Sequence, residues 1–169
     1  MLQQKETGMP LSALLNPARS GLVIALLAAA SLGLAFVAQY AFGLAPCELC
    51  LWQRWPYAAV IALGLGAALL PRWRMPLLAL AALCLLAGGG IGVFHVGVEE
   101  KWWQGLASCG GAPTPSSIDE LRAQLMAAPV VRCDEAAFRF LGLSMAGWNV
   151  LWSVVLAVFA ALAAKRAAD

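Results

Sequence analysis

Charge is what this chain has least of: Asp, Glu, Lys and Arg make up only 12% of its 169 residues, against about 25% in a soluble domain. With 62% hydrophobic residues and a mean hydropathy of +0.80, it has too little polar surface to stay dispersed in water. The net charge of +2 gives no basis for nucleic-acid binding. Histidine occurs once, at His95. No internal repeat or low-complexity segment stands out.

The few charges are bunched. Runs without any occupy Ser20–Cys47 (28 residues), Trp55–Pro71 (17), Met75–Val98 (24) and Phe140–Ala164 (25). About 20 apolar residues cross a hydrocarbon core roughly 30 Å thick, and Leu51, Trp52 and Gln53 can extend the second run. The expected fold is an all-α membrane protein, a bundle of four transmembrane helices spanning about 20–44, 51–70, 75–98 and 141–164. The first run exceeds the 7–15 apolar residues of a signal peptide and reads as an uncleaved span. Four spans put both termini on one side. That side carries six basic residues (Lys5, Arg19, Arg72, Arg74, Lys165, Arg166) and two acids, whereas the other carries five basic residues and seven acids. The positive-inside rule assigns the first set to the cytoplasm. Residues 1–19 then form a cytoplasmic extension, 20–165 the membrane domain and 166–169 a cytoplasmic tail.

A long outer loop, about 99–140, joins the last two spans, and loops of this length are usually functional or disordered. Within it Ser117-Ile118-Asp119-Glu120 fits a capping box. Ile118, Leu121, Leu125 and Met126 then share one face of a short amphipathic helix suited to a membrane surface. Trp102 and Trp103 suit the interface. Gly88 and Gly92, four apart in the third span, suit close helix packing.

Of five cysteines, Cys84 is mid-span and reads as a small apolar residue. The other four lie on the outer, oxidising side, where disulfides persist. Cys47 and Cys50 form a Cys-x-x-Cys at the mouth of the second span. A helix N-terminus or a nearby cation lowers a thiol pKa, and Arg54 lies one turn beyond Cys50. A static disulfide would close too small a loop to add much stability. Zinc sites usually bring a second close ligand pair, and Cys109 and Cys133 are 24 apart, so no metal is expected. Haem attachment needs His directly after the second cysteine, and residue 51 is Leu. Redox chemistry is the remaining reading. Cys109 and Cys133 could be a plain loop disulfide, but two dithiols on one face can pass oxidising equivalents by exchange. His95 could be functional, as ionisable residues in a span often are, or could face headgroups.

The segment Pro46-Cys47-Glu48-Leu49-Cys50-Leu51-Trp52-Gln53-Arg54-Trp55-Pro56-Tyr57 resembles the DsbB family of bacterial disulfide-generating membrane proteins. His95-Val96-Gly97-Val98-Glu99, the glycine-flanked Cys109, Cys133-Asp134 and Trp148-Asn149 reinforce the resemblance, which covers roughly residues 20–165. It implies an inner-membrane enzyme that reoxidises a periplasmic DsbA-type dithiol oxidase and passes the electrons to ubiquinone or menaquinone. By position, Cys109 would take the mixed disulfide and Cys133 would attack Cys47. Cys50 would then leave as a thiolate facing the quinone, held by Arg54 with His95 nearby. Glu48 departs from an ideal site, because its charge opposes thiolate formation. Two alternatives stand beside this reading. One is a quinone-linked thiol oxidoreductase with another client, like vitamin K epoxide reductase. The other is a non-enzymatic scaffold with a disulfide-stapled loop.

Overall fold

The computed structural model describes residues 17–106, 109, 116–127 and 131–168. The expected cytoplasmic extension, apart from its last three residues, and the glycines after Cys109 lie outside the described residues. Four long helices carry the architecture: α1 (Pro17–Tyr40), α3 (Arg54–Leu69), α4 (Arg74–Glu99) and α6 (Met145–Ala168). Between them lie the short α2 (Glu48–Trp52), α5 (Ile118–Ala127) and a hairpin of β1 (Arg139–Phe140) and β2 (Leu143–Ser144). Three helical segments, Arg19–Tyr40, Pro71–Glu99 and Met145–Ala168, are long and apolar enough to cross a membrane. At 16 residues, α3 rises about 24 Å, which is short of a full crossing.

The boundaries depart from the expected spans where local chemistry intervenes. The first helix ends at Tyr40 rather than near 44, and Gly43 (φ +68°) turns the chain before Pro46. The last begins at Met145 rather than 141. Leu141 (φ +51°) and Gly142 (φ +82°) form a two-residue turn with both central φ angles positive, which suits a tight hairpin. Arg139 pairs with Ser144 and Phe140 with Leu143, so a small antiparallel element interrupts an otherwise helical fold. At the opposite end Arg74 Nε donates to the Ala67 carbonyl (3.0 Å), a cation at the C-terminal end of α3 where the helix dipole favours one.

In the bundle α1 packs along α3, α3 along α4 and α4 along α6, whereas α1 and α6 meet sparsely. Ile24, Val60, Leu78, Leu85 and Leu156 are buried in its centre. Leu34, Leu83, Leu86, Val155 and Val158 point outward and exposed, the surface a helix presents to lipid. Cys84 packs against the central cluster as a free thiol. Small residues set the helix spacing. A side chain at Gly92 would meet Val150 of α6, and one at Gly88 would meet Pro56 of α3, which is the close packing expected of that pair. The tightest approach is elsewhere: Gly21 of α1 and Gly64 of α3 face each other backbone to backbone.

The long loop folds back on the C-terminal end of α4. Trp103 Nε1 donates to the Phe94 carbonyl (3.0 Å), and its ring stacks on Phe94 with centroids 5.9 Å apart. The indole lies across Gly97, where a Cβ would overlap it. Ser117 Oγ accepts from the Glu120 N–H (3.2 Å), as a capping box requires, but the Glu120 carboxylate reaches back to Ser116 instead of Ser117. Ile118, Leu121 and Met126 of α5 are exposed, leaving its apolar side open to solvent or lipid.

Candidate active site

Cys47 caps α2. Its extended backbone (φ −74°, ψ 172°) lets the sulfur accept from the Cys50 N–H at 3.3 Å. Cys50 therefore sits inside the first turn, and Cys47 holds the N-terminal position that favours a thiolate. The two sulfurs are 3.0 Å apart, both unbridged. The hydrogen bond between the two sulfurs is the main influence holding the Cys47 thiol down to about 4. Burial opposes that shift, and the His95 ring and the Cys50 N–H add to it. Cys50 is pushed up by the same hydrogen bond, by burial and by the adjacent Cys47 charge, with the Glu99 carboxylate contributing.

His95 is buried, 3% exposed, which removes the headgroup-facing alternative. Its Nε2 lies 3.6 Å from Cys47 Sγ and 3.6 Å from Glu99 Oε1. The imidazole thus stands on Cys47, the cysteine nearer the loop, and not on the one expected to face an acceptor. On the other side Gln53 Nε2 donates to His95 Nδ1 (2.9 Å) and to the Leu49 carbonyl (3.2 Å). Asn149 donates to Gln53 Oε1, and Tyr57 Oη donates to Asn149 Oδ1 (2.8 Å) with Ser153 Oγ 3.0 Å away. Gln53, Tyr57, Asn149 and Ser153 were not among the expected site residues. The available signal was two pairs of polar residues, each four apart, in or beside apolar runs, because polar groups in a bundle interior need partners.

Arg54 was expected to hold the Cys50 thiolate. Its Nη1 donates to Gln39 Oε1 of α1 (2.7 Å), and its guanidinium lies 5.0 Å from the Phe36 ring centroid. Arg54 and Cys50 line one cleft of about 520 Å³ between α1, α3 and α6, at the sparse α1–α6 seam. Leu27, Leu34 and Ala35 wall one side, Trp148 and Trp152 the other, and Gln53, Tyr57 and Asn149 bring polar atoms to the Cys50 end.

Cys109 and Cys133 are disulfide-bonded and wholly buried, with Cα atoms 4.9 Å apart. The Cys133 N–H donates to the Cys109 carbonyl (3.3 Å). Both belong to one buried cluster with Cys47, Leu49 and Val98, against which Cys50 and Phe94 pack. The two pairs, 59 to 86 residues apart in sequence but adjacent in space, form a single sulfur-rich core.

Salt bridges hold the loop there. Asp134 accepts from Lys101 Nζ (2.6 Å) and from Arg132 (2.8 and 2.7 Å), and Arg139 bonds Glu100 (2.7 Å). Arg132 is the main reason the Asp134 carboxyl lies well below its usual range, with burial opposing and Lys101 assisting. A depressed carboxylate contributes stability above its ordinary pKa and loses it as pH falls through the lowered one. Loop docking is therefore expected to persist through pH 4 and to loosen only in stronger acid. Asp134→Asn should raise the rate at which a small thiol reduces Cys109–Cys133 a few-fold at neutral pH, because exposed bridges are worth under about 1 kcal/mol. An unchanged rate would remove Asp134 from loop docking.

Comparison with known proteins agrees with this architecture. Residues 17–163 match the family model for disulfide bond formation protein DsbB. The chain is 34% identical over 159 residues to a disulfide bond formation protein B of Xanthomonas oryzae pv. oryzae, covering 88% of this chain and 91% of that protein. It is 31% identical over 153 residues to one of Aromatoleum aromaticum, covering 80% and 84%. An uncharacterized protein of Rickettsia prowazekii is 28% identical over 144 residues, covering 83% and 84%. No solved structure matches. A match across nearly the whole helical region, on a chain with three membrane-length helices and two clustered cysteine pairs, makes this protein a member of the DsbB family, an integral-membrane disulfide oxidoreductase.

Proposed function

We propose that this chain reoxidises a periplasmic dithiol oxidase of the DsbA type and passes the electrons to membrane quinone. In this reading α3 is the fourth span, both termini are cytoplasmic, and the cysteines face the periplasm from the bacterial inner membrane. The observation that carries it is the single cluster of Cys47, Cys109 and Cys133, whose fourth partner Cys50 opens onto an apolar cleft.

The sulfur chemistry runs in balanced exchanges. A partner thiolate attacks Cys109, forming a mixed disulfide and releasing Cys133 as a thiolate. Cys133 attacks Cys47 of a closed Cys47–Cys50 bridge and releases Cys50. The partner's second thiol resolves the mixed disulfide and leaves oxidised. Cys109 then attacks Cys133, restoring the outer bridge and leaving Cys47 and Cys50 as the dithiol. That arrangement, outer pair closed and inner pair open, is the one in the structure. Closing Cys47–Cys50 again sends two electrons and two protons to the acceptor.

The cleft fits a quinone ring, with apolar and indole walls and hydrogen-bond donors at one end. Bound there, a quinone supplies a two-electron sink more oxidising than the partner's dithiol. Arg54, tied to Gln39 and lying over Phe36, positions a cation at the cleft without burying it unpaired. His95 steadies Cys47 in the thiolate form that attacks or leaves during exchange. Either ubiquinone or menaquinone satisfies these contacts.

The test is quinone-dependent turnover of the purified protein with a reduced DsbA-type partner, followed by quinone absorbance. Steady reduction is expected, with Arg54→Ala slowing it by about tenfold or more, the usual loss for a positioned charged contact. Folded protein that reduces no quinone with any such partner would overturn the proposal. A stapled scaffold would then be the better account.

A further inference from the structure

Beside the cysteine pair lies a buried group that the relay does not use. Glu99 is 5% exposed by its side chain, and its Oε2 is the one buried side-chain oxygen or nitrogen among the described residues with no hydrogen-bond partner. Oε1 faces His95, but burying the second oxygen with no partner is costly, and a cation beside it would relieve that cost. Glu99 is also four residues after His95 on one face of α4, and His95 Nε2 with the two sulfurs of Cys47 and Cys50 lie within 4.8 Å of one another. Cys47-x2-Cys50 and His95-x3-Glu99 make two close ligand pairs. The second close pair comes from α4 and not from Cys109 and Cys133, which are 24 apart.

We propose that the open dithiol form binds one thiophilic divalent cation, of the zinc type, through Cys47, Cys50, His95 and Glu99. Tetrahedral zinc bonds of about 2.3 Å to sulfur and about 2.0–2.2 Å to nitrogen and oxygen put neighbouring donors about 3.3–3.8 Å apart. The gaps here are 3.0 Å between the sulfurs, 3.6 Å from Cys47 Sγ to His95 Nε2 and 3.6 Å from Nε2 to Glu99 Oε1. The sulfurs must spread by less than an ångström, and the Glu99 carboxylate, which lies outside the 4.8 Å cluster of the other three donors, must swing towards them. Binding releases the thiol protons to solvent and involves no electron transfer. Ligation through Nε2 leaves the proton on Nδ1, and a metal-bound imidazole normally donates it to a neighbour. Gln53 meets that need if its amide and that of Asn149 turn together, so that Gln53 Oε1 faces Nδ1, Asn149 Oδ1 accepts from Gln53 and Tyr57 Oη donates to Ser153 instead.

The site exists only while Cys47 and Cys50 are open, because a disulfide uses both sulfurs. Oxidation therefore expels the ion, and the ion in turn holds the pair out of exchange. The result is a metal brake whose release is the same bond formation that completes a cycle. It requires the free dithiol alone and holds whether or not quinone is the acceptor.

Cobalt(II) reports such a site by its thiolate charge-transfer band. Full-length protein in detergent, reduced with a phosphine that is then removed, would be titrated anaerobically with Co²⁺. One Co²⁺ per chain is expected, displaced by stoichiometric Zn²⁺ and absent from the oxidised protein. The band should persist in the Cys109→Ser/Cys133→Ser variant and vanish in Cys50→Ser. Glu99→Gln should weaken binding by at least about tenfold, with helical circular dichroism confirming that each variant is folded. No band at stoichiometric metal from folded, reduced protein would overturn the proposal. So would a band that survives Cys50→Ser, which would belong to other thiols, or an affinity unchanged by Glu99→Gln.

Discussion

Cys133→Ser and Cys50→Ser are each expected to reduce partner oxidation to the uncatalysed background, but to halt the relay at different places. Groups that act as one unit lose nearly all their effect when any one is removed. In Cys133→Ser the outer bridge cannot form, so the partner finds no disulfide to attack. Cys47 and Cys50 still close when quinone is added, because they pack beside the cleft and not through Cys133. In Cys50→Ser the outer bridge remains and can still accept one partner thiol, with Cys133 passing on to no closed inner pair. The partner's second thiol then resolves the adduct, so one equivalent of partner is oxidised and Cys109 and Cys133 are left as free thiols, with no further turnover. Mass spectrometry of the alkylated protein after mixing with reduced partner separates the two states. An inner pair that stays open with quinone in Cys133→Ser would mean that the exit runs through the loop. Full activity of either variant would remove that cysteine from the relay.

Gly64→Val is expected to have the largest effect on stability. A Cβ at Gly64 would sit 2.7 Å from the Gly21 carbonyl oxygen and 3.0 Å from the Ala25 Cβ. Those are backbone and stub atoms of α1 that cannot swing aside, so the helices must part. Overpacking of this sort costs about 1–3 kcal/mol and sometimes more, and here it also moves α1, which walls the cleft. Thermal unfolding in detergent should fall by several degrees, with weaker quinone binding. Gly33→Ala is the control. No atom lies within 4 Å of its added Cβ, so stability should hold or rise slightly, since Gly in a helix interior is unfavourable by about 1 kcal/mol relative to Ala. Equal melting temperatures for Gly64→Val and the parent would show that the α1–α3 contact is not tight in the folded protein.

Much of this was legible from the sequence because it depends on local pattern. The charge-free runs set the helical membrane character, since the number of consecutive apolar residues alone decides whether a helix can enter lipid. The Cys-x-x-Cys beside Arg54, with the spaced Cys109 and Cys133, announced thiol chemistry because reactive sulfurs need cations and helix ends near them. The hairpin before α6 was less legible. Leu141 in a left-handed conformation is unfavourable by itself and is held by the strand pairing on either side of it.

Tertiary structure decided which groups meet. His95 and Cys47 are 48 residues apart, and nothing local says that the imidazole stands on Cys47 while Arg54 turns to Gln39 and Phe36. The Gln53–Asn149 bond links residues 96 apart, and the cleft exists because α1 and α6 meet loosely while their other neighbours pack tightly. Glu99, at the end of α4, is buried beside His95 with one oxygen unpaired only because of how the loop and helices pack. Sequence fixes what each segment can be, through hydropathy and backbone preference. The positions of sulfur, imidazole and carboxylate relative to one another depend on how four helices share one core, and no single segment contains that information.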